Sequence, residues 1–144
     1  MMQLSPTKTT FICLCAVPIG AQLLDRVRAR IREHIKSVDV VLLLDFGHGL
    51  MHPEIRDLVQ SEAPFLALNC QTNSNNHGFN IISPQYSRAD AICLDEQELL
   101  LSAGRRHLDY AAELSRLRTE LNAQSAWLTR GSVQTIGLAS DEPS

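Results

Sequence analysis

The sequence predicts an open, mostly parallel α/β sheet with helices on both faces, and two observations carry that prediction. Short apolar runs without polar alternation recur along the chain, as in parallel strands covered on both sides. Between them lie segments whose apolar residues recur at spacings of three and four, the period of a one-sided helix.

Residues 10–17 (TFICLCAV) read as a buried strand ended by Pro18-Ile19-Gly20. A helix over 21–36 follows, with Leu24, Val27, Ile31 and Ile35 on one stripe and arginines elsewhere. Residues 38–45 (VDVVLLLD) form the most continuous apolar run and predict a strand covered on both faces. Pro53 opens a short helix, with Ile55, Leu58 and Val59 behind it, and 64–69 (PFLALN) returns to the sheet. The polar, amide-rich stretch 70–84 is long for a structureless connection and reads as a functional loop or as plain turns. A strand at 89–94, helices at 96–103 and 108–121, and a strand at 125–129 complete the alternation. Arg130-Gly131-Ser132 then turns into a last strand at 133–139.

At 144 residues, with 44% apolar and 20% charged side chains, the chain is one globular domain by size and composition. A domain of this length buries roughly 70% of the surface its unfolded chain exposes, enough for a core without staples. Thirteen basic residues against sixteen acidic ones give a net charge of -3, too weak a field to draw nucleic acid or an acidic membrane. Cys13, Cys15, Cys70 and Cys93 include no C-x-x-C and read as buried free thiols. The apolar stretch 11–24 imitates a signal peptide, but Pro18 breaks it, one lysine precedes it, and Arg26 arrives too early for a membrane span. The expectation is a cytoplasmic protein.

In an open α/β sheet, ligands gather outside the carboxyl ends of the strands, so the loops at 45–51, 69–84, 95–98 and 129–132 carry the search. Asp45-Phe46-Gly47-His48-Gly49 leaves a strand end with two glycines that permit positive φ and close backbone approach. It reads either as a ligand-orienting acid or as a turn in which Asp45 bonds local amides. His48 and His52 lie four apart, and with Cys70 and His77 they make a weak candidate metal set. Asn69, Gln71 and Asn73 offer donors and acceptors for a sugar or phosphate, or line a solvated loop. Asp95, Glu96 and Glu98 stand where carboxylates hold Mg2+ or cap a helix. Thr129, Arg130 and Gly131 supply a hydroxyl, a cation and an approachable backbone, or an ordinary hairpin. His107 and Tyr110 read as surface or packing residues, and no Ser-His-Asp order, Walker loop or G-x-G-x-x-G is present.

Taken in this order, DFGHG at 45–49, ALNCQTNSNNHGFN at 67–80, RADAICLDEQEL at 88–99 and WLTRG at 127–131 resemble the PfkB or ribokinase-like carbohydrate kinases. The likeness is nearest to the sugar kinase half of bifunctional ADP-heptose synthases and is strongest over residues 38–131. It implies an incomplete ribokinase-like fold, with ATP and Mg2+ as cofactors and a sugar or sugar phosphate as acceptor. By this resemblance Asp45, Gly47, His48 and Gly49, with Asn69, Gln71 and Asn73, border the substrate cleft. The family's N-x-x-E motif, linked to Mg2+ and phosphate, falls on Asp95 to Glu98, with Asp95 in place of the usual Asn. Its nucleotide-side T-x-G turn falls on Thr129-Arg130-Gly131, and the glycine often found three residues later is Gln134 here.

The N-terminal substrate region and the G-A-G-D motif of the family have no counterpart in these 144 residues. That motif's aspartate is the catalytic base, and its glycines stabilise the moving phosphate. The resemblance therefore implies a partial kinase domain, inactive alone. The alternative is a non-catalytic α/β remnant that binds a nucleotide or another chain, as a homodimer or with a complementing partner.

Overall fold

The computed structural model describes residues 19–72 and 78–139. The strand expected at 10–17, and Cys13, Cys15, Asn73 and His77, lie outside them. The elements are α1 (Ala21–Ile35), β1 (Val41–Asp45), α2 (Pro53–Glu62), β2 (Leu66–Cys70), β3 (Ala91–Asp95), α3 (Glu96–Ala103), α4 (Tyr110–Glu120), β4 (Ser125–Arg130) and β5 (Gln134–Ala139).

Local chemistry sets most of these bounds. Pro53 occupies the first turn of α2, where its missing N–H costs nothing, and the His52 side chain accepts from Glu54 N at the same end. Asp109 caps α4 by accepting from Ala112 N at 3.0 Å, which is why that helix starts at Tyr110 and not at 108. Gly104, at φ +63°, closes α3 in the left-handed conformation that a Cβ would oppose.

The five strands lie in the order β1-β2-β3-β4-β5, parallel through β4, with β5 antiparallel at the far edge. The mostly parallel α/β sheet is thus as expected. Coverage of both faces is not seen among the described residues, and burial alternates along the strands instead. Leu43, Leu66, Leu68, Ile92, Leu94, Ala126 and Leu128 share one core with Leu24 of α1, Ile55 and Val59 of α2, Leu99 of α3, and Leu114 and Leu117 of α4. On the other face Leu42 is 66% exposed, Leu44 48% and Trp127 50%. Strands laid down in chain order, each connection stepping the same way, put their helices on one side. Apolar runs such as VLLL in β1 therefore do not report two covered faces. Cys93, expected buried, points to this open face and is exposed, whereas Cys70 is buried as expected.

Gly137 of β5 pairs with Trp127, and a Cβ there would fall 2.6 Å from the indole Cζ3. The missing side chain is what lets the indole lie across β5 on the open face. Behind the sheet, Gln60 Oε1 accepts from Ser87 N at 2.7 Å and Arg88 N at 3.0 Å. The Arg88 guanidinium donates to the carbonyls of Gln60 and Ala63 and pairs with Asp90. This network, with Asp90 accepting from Leu66 N, anchors the end of the long β2–β3 connection at the amino ends of β2 and β3. Among the described residues no helix is long and apolar enough to cross a membrane.

Candidate functional site

The carboxyl ends of β1 to β4 form one rim, because Asp45 is in register with Cys70 and Asp95 with Thr129. The sequence-predicted residues gather there in two clusters.

The first surrounds Asp45, which is 2% exposed. Its Oδ1 accepts from Gly47 N at 2.9 Å, the local turn bond, and its Oδ2 accepts from the Tyr86 hydroxyl at 2.7 Å. Arg56 Nε lies 3.6 Å from that same oxygen, and the guanidinium stands over the Tyr86 ring. Burial first, and then the Asp45 carboxylate, push the Tyr86 hydroxyl far above its ordinary pKa, so it stays a donor. The Asp45 carbonyl in turn accepts from Gln71 N at 2.8 Å and Asn80 Nδ2 at 2.9 Å. Together these bonds hold open a cleft of about 160 Å³ lined by Asp45, Gly47, Gly49, Met51, Arg56, Phe79, Asn80 and Gln85. Gly47 and Gly49 have φ of +68° and +88°, so both turns depend on glycine. His48 stacks with Phe46, ring centroids 6.3 Å apart, and does not line the cleft.

The second cluster is built on a capping box. Asp95 accepts from Glu98 N, and Glu98 Oε2 accepts from Asp95 N, both at 2.8 Å. Glu98 Oε1 also accepts from Thr72 N at 3.3 Å, so one carboxylate ties the ends of β2 and β3 to α3. Burial is the largest influence on Glu98 and raises its pKa, against hydrogen bonds from Asp95, Thr72 and Asn69 that lower it. Asn69 sits beside it and donates to the Cys93 carbonyl at 2.9 Å. With both oxygens engaged by backbone amides, Glu98 fits a divalent cation held through water and not one bound directly. Further along the rim, Glu96 Oε1 accepts from the Tyr110 hydroxyl at 2.6 Å and from Arg130 at 3.0 Å. Those two bonds, Tyr110 first, hold Glu96 below the ordinary carboxylate range. Thr129 Oγ1 reaches the Leu94 carbonyl at 3.5 Å, and Gly131, at φ +53°, turns β4 into β5.

No group of three metal-ligating side chains occurs among the described residues. His52 is spent on the α2 cap, and burial raises the Cys70 thiol to about 12, far from the thiolate a metal takes. Tyr86, Arg56, Asn80 and Tyr110 are site residues that the sequence reading missed.

No family model matches this sequence, and no curated protein matches it. Solved structures do match. Phosphofructokinase-2 from Escherichia coli in complex with potassium superposes with a TM-score of 0.66 at 6% identity, over 90% of this chain and 42% of that one. The same enzyme in complex with substrates and products gives 0.63 at 9%, over 90% and 43%. A Staphylococcus aureus chain assigned as a phosphofructokinase gives 0.59 at 13%, over 88% and 41%. The fold is that of the ribokinase-like sugar kinases. This chain spans less than half the length of these kinases, and at such identities the likeness is one of fold. Within that ribokinase-like frame, both clusters lie where an open α/β sheet receives its ligands.

Proposed function

We propose that these 144 residues are part of an ATP-dependent kinase acting on a sugar or sugar-phosphate hydroxyl, of the kind found in ADP-heptose synthases, in the cytoplasm. The observation that carries the reading is the single rim: four motifs far apart in sequence end at the carboxyl ends of four successive strands. The sugar lies in the cleft beside Asp45, Gly47 and Gly49, with Asn69 and Gln71 at the neighbouring end of β2. The nucleotide lies by Thr129 and Gly131. Mg2+, when bound, draws charge from the phosphate oxygens, and Asp95 and Glu98 face it through water.

Phosphoryl transfer also needs a base and an anion hole. Asp45 is no substitute base, because Gly47, Tyr86 and Arg56 already occupy its carboxylate. The chain alone is therefore expected to bind Mg2+-ATP saturably in calorimetric titration, with loss in Thr129→Ala, and to release no ADP with any sugar offered. Absence of binding by folded wild-type protein overturns the nucleotide assignment. Mg2+-dependent, sugar-stimulated ADP release that Glu98→Ala abolishes overturns the inactivity.

The open sheet face favours a second reading, a non-catalytic module that pairs with another copy of itself. An apolar face running from Leu42 and Leu44 to Trp127 is of the sort that drives association. Sedimentation equilibrium is expected to show a dimer that Leu42→Arg converts to monomer, and a monomeric wild-type protein defeats this reading.

A further inference from the structure

We propose that Glu96, Tyr110 and Arg130 form a latch that holds the Thr129–Gly131 turn against the starts of α3 and α4, with Arg130 acting as a positioning residue and not as a phosphate ligand. The inference rests on the kinase reading only for the ligand it names; the latch itself stands on geometry.

Three elements meet at this point. Glu96 is the first residue of α3, Tyr110 the first of α4, and Arg130 the last of β4. The guanidinium carbon lies 4.0 Å from the centre of the Tyr110 ring, close enough for cation–π attraction, while a guanidinium nitrogen reaches Glu96 Oε1 at 3.0 Å. The Tyr110 hydroxyl donates to that same oxygen at 2.6 Å, so each member touches the other two. Arg130 Nε is buried without a hydrogen-bond partner, while the side chain as a whole keeps 19% of its surface. Its charge is already met by a carboxylate, and an arriving phosphate would have to displace Glu96 to use it.

The turn closes the β4–β5 hairpin, with Thr129 paired to Thr135 and Arg130 to Gln134, and beyond the ladder Val133 N donates to the Arg130 carbonyl at 3.0 Å. The Arg130 side chain adds a tie to α3 and α4 at the last ladder residue before Gly131, where strand pairing ends.

Amide hydrogen exchange on the whole chain without ligand tests the latch. Tyr110→Leu is expected to speed exchange at Val133 by about tenfold, and Tyr110→Phe, which keeps the ring, by less. Glu96→Gln, which keeps an acceptor for the hydroxyl, restores most of the protection lost in Glu96→Ala. Protection at Leu94 and Leu128 stays as in the wild type. Unchanged Val133 exchange in all these variants overturns the proposal, as does uniform loss of protection through β3 and β4. In Mg2+-ATP titrations, Arg130→Leu and Tyr110→Leu weaken binding equally and their double variant no further. A larger loss in Arg130→Leu, together with loss of salt dependence, makes Arg130 a phosphate ligand and overturns the positioning role. Wild-type protein that binds no nucleotide defeats the kinase reading, while the exchange data still decide the latch.

Discussion

Asp45→Ala is expected to lower the free energy of unfolding by about 3 kcal/mol, the scale for removing one partner of a buried charged network. The substitution strands two hydrogen-bond donors and one cation at once. Gly47 N, the Tyr86 hydroxyl and Arg56 all converge on a carboxylate with almost no solvent access. Arg56 suffers most, since its Nε already has no hydrogen-bond partner and would be left with a charge to desolvate. Asp45→Asn keeps one acceptor and costs about half as much, and Tyr86→Phe removes a single bond at about 1 kcal/mol. Urea titrations of the three variants check the order. A cost below about 1 kcal/mol for Asp45→Ala would mean that the cleft does not depend on this network.

Glu98→Ala is the second large change, at about 2 kcal/mol, because it uncovers the amides of Asp95 and Thr72 together. Its pH dependence follows from the raised pKa that burial gives Glu98. A carboxyl whose pKa is higher folded than unfolded binds its proton more tightly in the folded state. Its contribution is complete below the unfolded pKa and is lost as the pH rises through the folded value. The stability gap between wild type and Glu98→Ala is therefore wider at about pH 4 than at about pH 7. A gap that widens with rising pH would contradict the assignment of burial as the dominant influence. Loss of nucleotide binding in this variant carries meaning only where circular dichroism shows it folded.

What the sequence made legible is local chemistry. Helix α3 begins and ends at the expected residues because Asp95, Glu98 and Gly104 write both caps within a turn of the helix. The hairpin at Gly131 and the start of α2 at Pro53 were readable for the same reason. The turn bond from Gly47 to Asp45 was open to the same reading, being two residues long. The rest of that cluster was not, since Tyr86 meets Asp45 across 41 residues and nothing near PQYSRAD signals it. Tyr110 looked like a packing residue because Glu96 and Arg130 reach it only once three elements have docked. The bare sheet face was hidden too: a strand reads VLLL whether one side or both are covered, and only topology tells them apart.

That topology bears on how the chain reaches its fold. Every described strand pairs with the described strand next to it in sequence, so none of these pairings waits for a distant segment to return. Loop-closure entropy is met in small instalments, each one connection long, and each docked strand becomes the template for the next. A chain built this way can form its sheet progressively during synthesis, from β1 outward, with the β4–β5 hairpin closing the series. Unlike a Greek key, it can also lose β5 without unthreading what came before.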